Sequence, residues 1–244
     1  MSVKKINKQQ SEYFASIGGG LAQKFIKLYE SQLQQLPRED KLKVVDLGGG
    51  AGHFANEVFA FFESRRIPAD ITVIDLFRYE ELGNSNIKFI EQSATTALDS
   101  YLDDSIDVFF MNLMLHHLIG DSYNKTKQNQ EELLEIAYRK LKPNGRLFVY
   151  ETSTQNPMIG DLSIPIIYFM TSSKLPLLTK ISKKMGSESA GTGVLFLSTH
   201  KWKKIFRKIG FHEAFHYYEP HFWKKKYLIR QQYFHFVLVK TPSK

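Results

Sequence analysis

Four residues at fixed spacing, Asp46, Gly48, Gly50 and Gly52 in the run VVDLGGGAGHF, are the strongest chemical signal in the chain. Glycines at such a place let the backbone turn sharply from a strand into a helix. They also let a ligand come close to the main chain. A helix starting beside His53 would aim its free N–H groups at that ligand, which suits a carboxylate or a phosphate. A dinucleotide loop would need G-x-G-x-x-G, but counting from Gly48 the third glycine position holds His53. The spacing fits D-x-G-x-G-x-G instead. Asp75 closes the next apolar run, ITVID, 23 residues after Gly52. A carboxylate at that strand tip can accept hydrogen bonds from both hydroxyls of a ribose. Each feature also has a plain structural alternative: a ligand-free turn for the glycines, a loop or helix-cap aspartate for Asp75.

These residues need strand tips to hold them, and the hydrophobic pattern supplies them. Short apolar runs at Lys43–Leu47, Ile71–Leu76, Ile87–Ile90, Ile106–Leu113 and Arg146–Tyr150 read as five buried strands. Helical spacing separates them at His53–Arg65 and Glu131–Leu141, and Pro143, Asn144 and Gly145 predict a turn after the second helix. Strands alternating with helices imply parallel pairing and right-handed crossovers. Residues 11–36 read as helix, glycine break, helix, with a boundary at Pro37. Residues 152–198 break the rhythm with three prolines and the apolar run IPIIYFM, and read as a partly helical insertion. A helix at Thr199–Ile209 follows, then strands at Phe211–Tyr218 and Tyr233–Lys240. The 14 residues between those strands predict a loop or a short helical turn. The expected division is a helical N-terminal cap over 1–40 and a single ligand-binding domain over 41–244.

Composition narrows the chemistry. The chain has 244 residues, 43% of them apolar, enough for one α/β domain with a sizeable core. It has no cysteine, which excludes disulfides, zinc–thiolate sites and thiolate catalysis. The histidines at 200, 212, 216, 221 and 235 read as surface or core residues, and no metal is expected. No apolar run approaches the length of a membrane span, and the N-terminus does not read as a secretory signal; a cytoplasmic location is the expectation. The net charge of +8 allows an anionic partner, but solvated lysines explain it equally simply.

With these motifs in order, the chain resembles the class I S-adenosylmethionine (SAM)-dependent methyltransferases. Beyond the glycine loop and Asp75, IDVFFMNLMLHHL is similar to that family's fourth-strand motif and LKPNGRLFVYE to its fifth. FHEAFHYYE and YFHFVLV are similar to its terminal antiparallel pair. The resemblance implies a Rossmann-like fold: a mostly parallel seven-stranded sheet with helices on both faces. It implies SAM as cofactor. Asp46 would then help hold the methionine end, Gly48, Gly50 and Gly52 would line it and the ribose, and Leu76 would pack on the adenine. Ser93 and Ala94 occupy the place where the family has an acidic residue, which bonds the adenine amino group, and then a small one; serine departs from that pattern. Asn112 falls beside the methionine moiety, and Tyr13 is positioned to close over the cofactor.

Methyl transfer from a sulfonium has an activated leaving group, so much of the catalysis is positioning. A general base is needed only where the nucleophile must lose a proton. His116 and His117 follow strand four, and Glu151 ends strand five with Thr152 beside it. These are the candidate catalytic residues, His116 first among them, because a histidine titrating near neutrality suits a hydroxyl or an acidic carbon. Each also has a packing or orienting alternative. Strand four lacks the N/D-P-P-Y/F ending of enzymes that methylate base amines, which with the missing cysteine sets nucleic acid behind other substrates. The insertion's apolar content points to a small apolar or amphipathic acceptor, methylated on oxygen or carbon. Its lysines at 174, 180, 183 and 184, with 224–226, also suit an anionic lipid surface or a phosphorylated substrate. The competing readings are an RNA or protein methyltransferase, and a non-catalytic SAM-binding or dimerisation protein on the same fold.

Overall fold

A computed structural model describes residues 22–36, 41–78, 84–155, 158–184, 189–220, 222–224 and 229–242. Tyr13, the glycines at 18–20, and Pro37 with the charges after it lie outside the described residues.

Among the described residues the first element is helix α1 (22–34). Then come β1 (Leu42–Leu47), α2 (His53–Ser64), β2 (Ala69–Asp75), β3 (Ile87–Glu91), α3 (Ala94–Leu98) and β4 (Ile106–Asn112). A short 3-10 turn, Leu115–His117, leads to α4 (Tyr123–Lys140) and β5 (Leu141–Gln155). After β5 come α5 (Ser163–Ser172), α6 (Pro176–Lys184), α7 (Thr199–Ile209), β6 (Phe211–Tyr218), β7 (Phe222–Lys224) and β8 (Ile229–Lys240). Seven strands run in the order β3-β2-β1-β4-β5-β8-β6, with β7 pairing on β8 beside that path. The first five are parallel, and β8 is antiparallel to both β5 and β6. The expected mostly parallel sheet with helices on both faces is the fold found.

Alternation along β4 shows how the sheet divides its two cores. Val108 and Phe110 point to one face, where they meet Phe25 and Tyr29 of α1 and Val58 and Phe62 of α2. Phe109 and Met111 point to the other, where Leu133 and Leu134 of α4 and Trp202 and Phe206 of α7 cover them. Helix α1 is also tied down by Arg146 of β5. Its guanidinium donates to the Gln32 carbonyl at 2.5 Å and to the side chains of Gln32 and Gln35. A cation there meets carbonyls that the end of the helix leaves without partners.

Several expected boundaries move, each for a visible reason. Helix α4 begins at Tyr123 rather than Glu131, because Ser122 caps it by accepting the Lys125 N–H. The turn at Pro143–Gly145 is a bulge inside β5. Ile106 of β4 pairs with Leu141, and Val108 then pairs with Arg146. Strand β5 runs on to Gln155, because Thr152, Ser153 and Thr154 pair with β8 although they are polar. The inserted segment therefore leaves the sheet after Gln155 rather than at 152. The link before the last strand holds β7, a short strand rather than a loop or a helical turn.

Candidate active site

The strand order reverses between β1 and β4, parallel neighbours from which the chain winds outward to opposite edges of the sheet. In open α/β sheets ligands bind outside the carboxyl ends of the strands at that reversal. The glycine loop, Asp75, Asn112 and the histidine pair all follow or end those strands.

Asp46 sits near the end of β1, 1% exposed. Neither of its carboxylate oxygens has a hydrogen-bond partner among the described residues. Burial, and then the charge of Asp75, pushes its carboxyl up to about 8. Such a group is held ready for a cation. The side-chain amide of Asn112, at the end of β4, is likewise buried with neither its oxygen nor its nitrogen satisfied by the described residues. An α-amino acid end carries an ammonium and a carboxylate, so it can engage a carboxylate acceptor, an amide and the free N–H groups of a helix start. Helix α2 provides that start: it begins at His53 with Gly52 as a left-handed cap (φ 76°) and no side-chain cap.

The loop glycines differ in why they are glycine. Gly48 has φ 71°, and a Cβ there would sit 2.8 Å from Met114 Cβ. Gly50 has φ 56° but faces open space. Gly49, which the motif spacing passes over, would drive a Cβ into the Asp46 carboxylate and to within 2.9 Å of Val73 Cγ1. Gly50 N–H also donates to Asp75 Oδ2 at 2.9 Å, and Phe77 N–H donates to Oδ1 at 3.2 Å. Asp75 thus fixes the glycine loop from the neighbouring strand. Its carboxyl is still raised by partial burial, against the lowering effect of those N–H groups. Lone pairs remain on both oxygens for further donors. Leu76 beside it is 38% exposed, an apolar side chain at the mouth of the crevice.

Ser93 caps α3, accepting the Thr96 N–H at 3.2 Å and donating to Thr96 Oγ1 at 2.7 Å. Ala94 is the first residue of that helix and packs on the core.

Beyond β4, His116 and Glu151 form a buried pair. His116 Nδ1 lies 2.6 Å from Glu151 Oε1. The same carboxylate accepts the backbone N–H of His116 at 3.2 Å and that of Thr152 at 2.7 Å. Three N–H groups therefore converge on a carboxylate that is 1% exposed. This fixes the imidazole orientation and leaves Nε2 as the ring's proton acceptor. His117, by contrast, is exposed, with its ring centroid 4.0 Å from that of His116. The neighbouring His116 ring, and then partial burial, lower the His117 imidazole to about 3, so His117 stays neutral. Sequence spacing brings His116, His117 and Glu151 forward as separate candidates; the structure joins two of them and sets the third outside.

The return arm of the inserted segment walls this pair. Leu195 N–H donates to the His116 carbonyl at 3.1 Å, and the Phe196 ring lies 4.9 Å from the imidazole. Gln130, fully buried on α4, donates to the carbonyls of both Leu115 and Leu195 and so locks the arm to the 3-10 turn. No signal along the sequence marks Gln130 or Phe196, which lie 15 and 80 residues from Leu115 and His116 respectively. Among the described residues no cluster of His, Asp or Glu is arranged to hold a metal.

Residues 21–213 match the family described as Methyltransferase domain. No curated protein matches the chain. Solved structures share its fold at low identity. A SAM-dependent methyltransferase from Archaeoglobus fulgidus is 12% identical over 90% of this chain and 94% of that one, with a TM-score of 0.54. An O-methyltransferase family protein from Burkholderia thailandensis is 13% identical over 96% of this chain and 60% of that one (TM-score 0.57). An arsenic(III) SAM methyltransferase from Chlamydomonas reinhardtii is 18% identical over 86% and 67% (TM-score 0.52). The strand order, the orphaned polar groups of Asp46 and Asn112 beside an uncapped helix start, and a match over most of the chain agree. The chain belongs to the methyltransferase domain family and is a SAM-dependent methyltransferase.

Proposed function

We propose that the chain methylates an oxygen or an acidic carbon of a small apolar or amphipathic molecule, with His116 as the proton acceptor. The observation that carries this reading is the buried His116–Glu151 pair beside the apolar return arm. When bound, SAM supplies an activated methyl on a sulfonium. Asp46 accepts hydrogen bonds from the ammonium, and the Asn112 amide and the start of α2 complete the hold on the methionine end. Asp75 accepts from the ribose hydroxyls, with Leu76 and Ala94 against the adenine and Gly48, Gly50 and Gly52 allowing close approach. His116 Nε2 takes the proton from the acceptor as its nucleophilic atom reaches for the methyl. Glu151 keeps Nδ1 protonated, orients the ring and balances its charge as it becomes imidazolium; it acts through His116 and is a positioning residue. Neutral, exposed His117 serves as a hydrogen-bonding wall.

The neighbouring arm favours an apolar acceptor, because Phe196 lies against the imidazole and the segment behind it is rich in Ile, Leu and Phe. The fold is shared with an O-methyltransferase family protein, which is in keeping with oxygen as the acceptor atom. The test is transfer of labelled methyl from SAM to a panel of hydroxylated aromatics, quinols and fatty hydroxy acids, with RNA and protein panels run alongside. Methylation confined to the small molecules, and lost in His116→Gln, is expected. Label appearing in RNA or protein alone would overturn the reading.

A further inference from the structure

Helix α5 is apolar on two opposite faces, and the protein covers only one of them. Ile164, Tyr168 and Thr171 follow each other at helical spacing and are buried. Leu162, Ile166 and Phe169 repeat the same spacing two residues out of phase, roughly 200° around the helix, and are exposed, Phe169 at 61%. The stripe continues through Leu175 into α6, where Leu177 and Ile181 are one turn apart and exposed. The two helices are fixed to each other and to the body. Ser182 of α6 donates to the Met170 carbonyl at 2.8 Å. Gly191 N–H donates to the Thr171 carbonyl at 2.7 Å, and Val194 N–H to Thr171 Oγ1 at 3.2 Å. Solitary exposed apolar side chains are ordinary, but six on one rigid hairpin form a patch that marks an interaction site.

The charges around the stripe identify its occupant. Lys174, Lys180 and Lys183 lie beside it, all exposed, and none pairs with a carboxylate among the described residues. Three of the four lysines of α7, next along the chain, are by contrast paired: Lys201 with Asp161, Lys203 with Glu213 and Lys208 with Glu131. A self-docked pair of copies would turn this face onto itself about a two-fold axis, bringing the unpaired lysines toward one another. An anionic bilayer instead takes the apolar stripe into its interface and the ammonium groups against its headgroups. Neither helix is long enough to cross a membrane, and none among the described residues is. Short helices whose exposed apolar side chains are flanked by lysines lie in the interface plane.

We propose that the α5–α6 hairpin is a docking surface for an anionic lipid bilayer. The hairpin's return arm carries Leu195 and Phe196 to His116, so the docked face and the catalytic pair belong to one connected unit. The proposal does not depend on which atom or molecule is methylated.

Vesicle flotation of the full chain tests it, with pure phosphatidylcholine against phosphatidylcholine mixed with phosphatidylglycerol. The protein is expected to float with the anionic vesicles and to remain behind with the neutral ones at physiological salt. Phe169→Glu is expected to abolish flotation. Lys180→Gln and Lys183→Gln together should weaken it about 25-fold, about fivefold for each lysine removed from the headgroup region. Both variants alter exposed side chains, and the rise in melting temperature with S-adenosylhomocysteine, unchanged in each, certifies the fold. Failure of the wild type to float, or flotation that Phe169→Glu leaves intact, overturns the proposal. A concentration-dependent dimer that Phe169→Glu disperses, with no vesicle binding, assigns the face to a second copy and overturns it equally.

Discussion

Glu151 meets His116 across 35 residues of sequence, with its Oε1 2.6 Å from the imidazole Nδ1. Strand β5 lies beside β4 in parallel register, with Asn112 opposite Tyr150, so the residue after Tyr150 faces the turn that follows Asn112. Backbone N–H groups of His116 and Thr152 hold the same carboxylate, so the pair is built into the main chain of two strand ends.

Replacing that carboxylate separates its two roles. Glu151→Gln keeps the volume but puts an amide N–H₂ where N–H donors converge, and turnover should fall about 100-fold, the order of a general-base contribution. The SAM dissociation constant should hold. Glu151→Ala leaves buried N–H groups without acceptors and should cost about 2–4 kcal/mol, lowering the melting temperature by roughly 5–15 °C. Nitrogen NMR of the histidines provides the direct readout: His116 should show a protonated Nδ1 and a bare Nε2 in the wild type, and a mixture of tautomers in Glu151→Gln.

Asp46 should make the ligand-free protein less stable as pH rises. Its carboxyl stands at about 8 in the folded chain against 3.8 for the free side chain. Between those values the native state holds a proton that the unfolded state has released. The contribution is complete below about pH 4 and is lost as pH rises through about 8. Melting temperatures across that window should fall with pH in the wild type and flatten in Asp46→Asn. Binding a ligand ammonium should also expel the proton. Calorimetry with S-adenosylhomocysteine near pH 7 in buffers of different ionisation enthalpy should therefore register proton release in the wild type and none in Asp46→Asn.

Helix α1 is held by a polar chain with the opposite pH dependence. Tyr29 OH lies 2.7 Å from His235 Nδ1; His235 Nε2 lies 3.1 Å from Glu219 Oε1, which also receives the Lys24 ammonium. Burial lowers the His235 imidazole below its ordinary value, although Glu219 works the other way. Its neutral form is the native one, so this contribution is present above about pH 6.5 and is lost as pH falls below it. His235→Gln should remove that acid sensitivity from the melting curve while loosening α1, which amide hydrogen exchange in residues 22–34 would register.

Asp75→Ala should weaken S-adenosylhomocysteine binding by about 10- to 100-fold, as loss of hydrogen bonds to a charged group implies. It also releases the Gly50 and Phe77 N–H groups, so Asp75→Asn, which keeps an acceptor oxygen for one of them, should fall in between. An unchanged affinity in calorimetry for both variants would remove Asp75 from the ribose role.

Where a signal is local in the chain, the sequence shows it. Strands β1, β2 and β4 announce themselves as apolar runs because both faces of a central parallel strand are covered. Helix α7 and strand β6 are bounded by Ser198, Gly210 and their own periodicity, and their limits match those expected. The polar end of β5 is invisible, because Thr152 to Thr154 are strand only by virtue of pairing with residues 231–233, which alternation within β5 does not reveal. The first half of α4, YNKTKQNQ, carries too few apolar residues for a helical period, and its cap Ser122 is the one sign of it. At the site, the glycines and Asp75 are legible because each sits at the tip of a strand. The bond between His116 and Glu151 is not, because spacing along one chain says nothing of which strand ends lie side by side.

Gly49 is the instance at the smallest scale, and it yields a test. The D-x-G-x-G-x-G count skips it, and its backbone needs no left-handed conformation, so nothing but the neighbours demands glycine. Those neighbours are the Asp46 carboxylate and Val73, both of which a Cβ would strike. Gly50 is the reverse: φ is 56°, yet the space around it is empty. Gly50→Ala should therefore cost only the left-handed backbone penalty, about 1–2 kcal/mol of stability, with the Asp46 pocket intact. Gly49→Ala should displace the Asp46 carboxylate, and S-adenosylhomocysteine affinity should fall at least tenfold further than in Gly50→Ala when both are measured by calorimetry. Equal losses in the two variants would mean that the loop's backbone, rather than the room beside Asp46, sets the affinity.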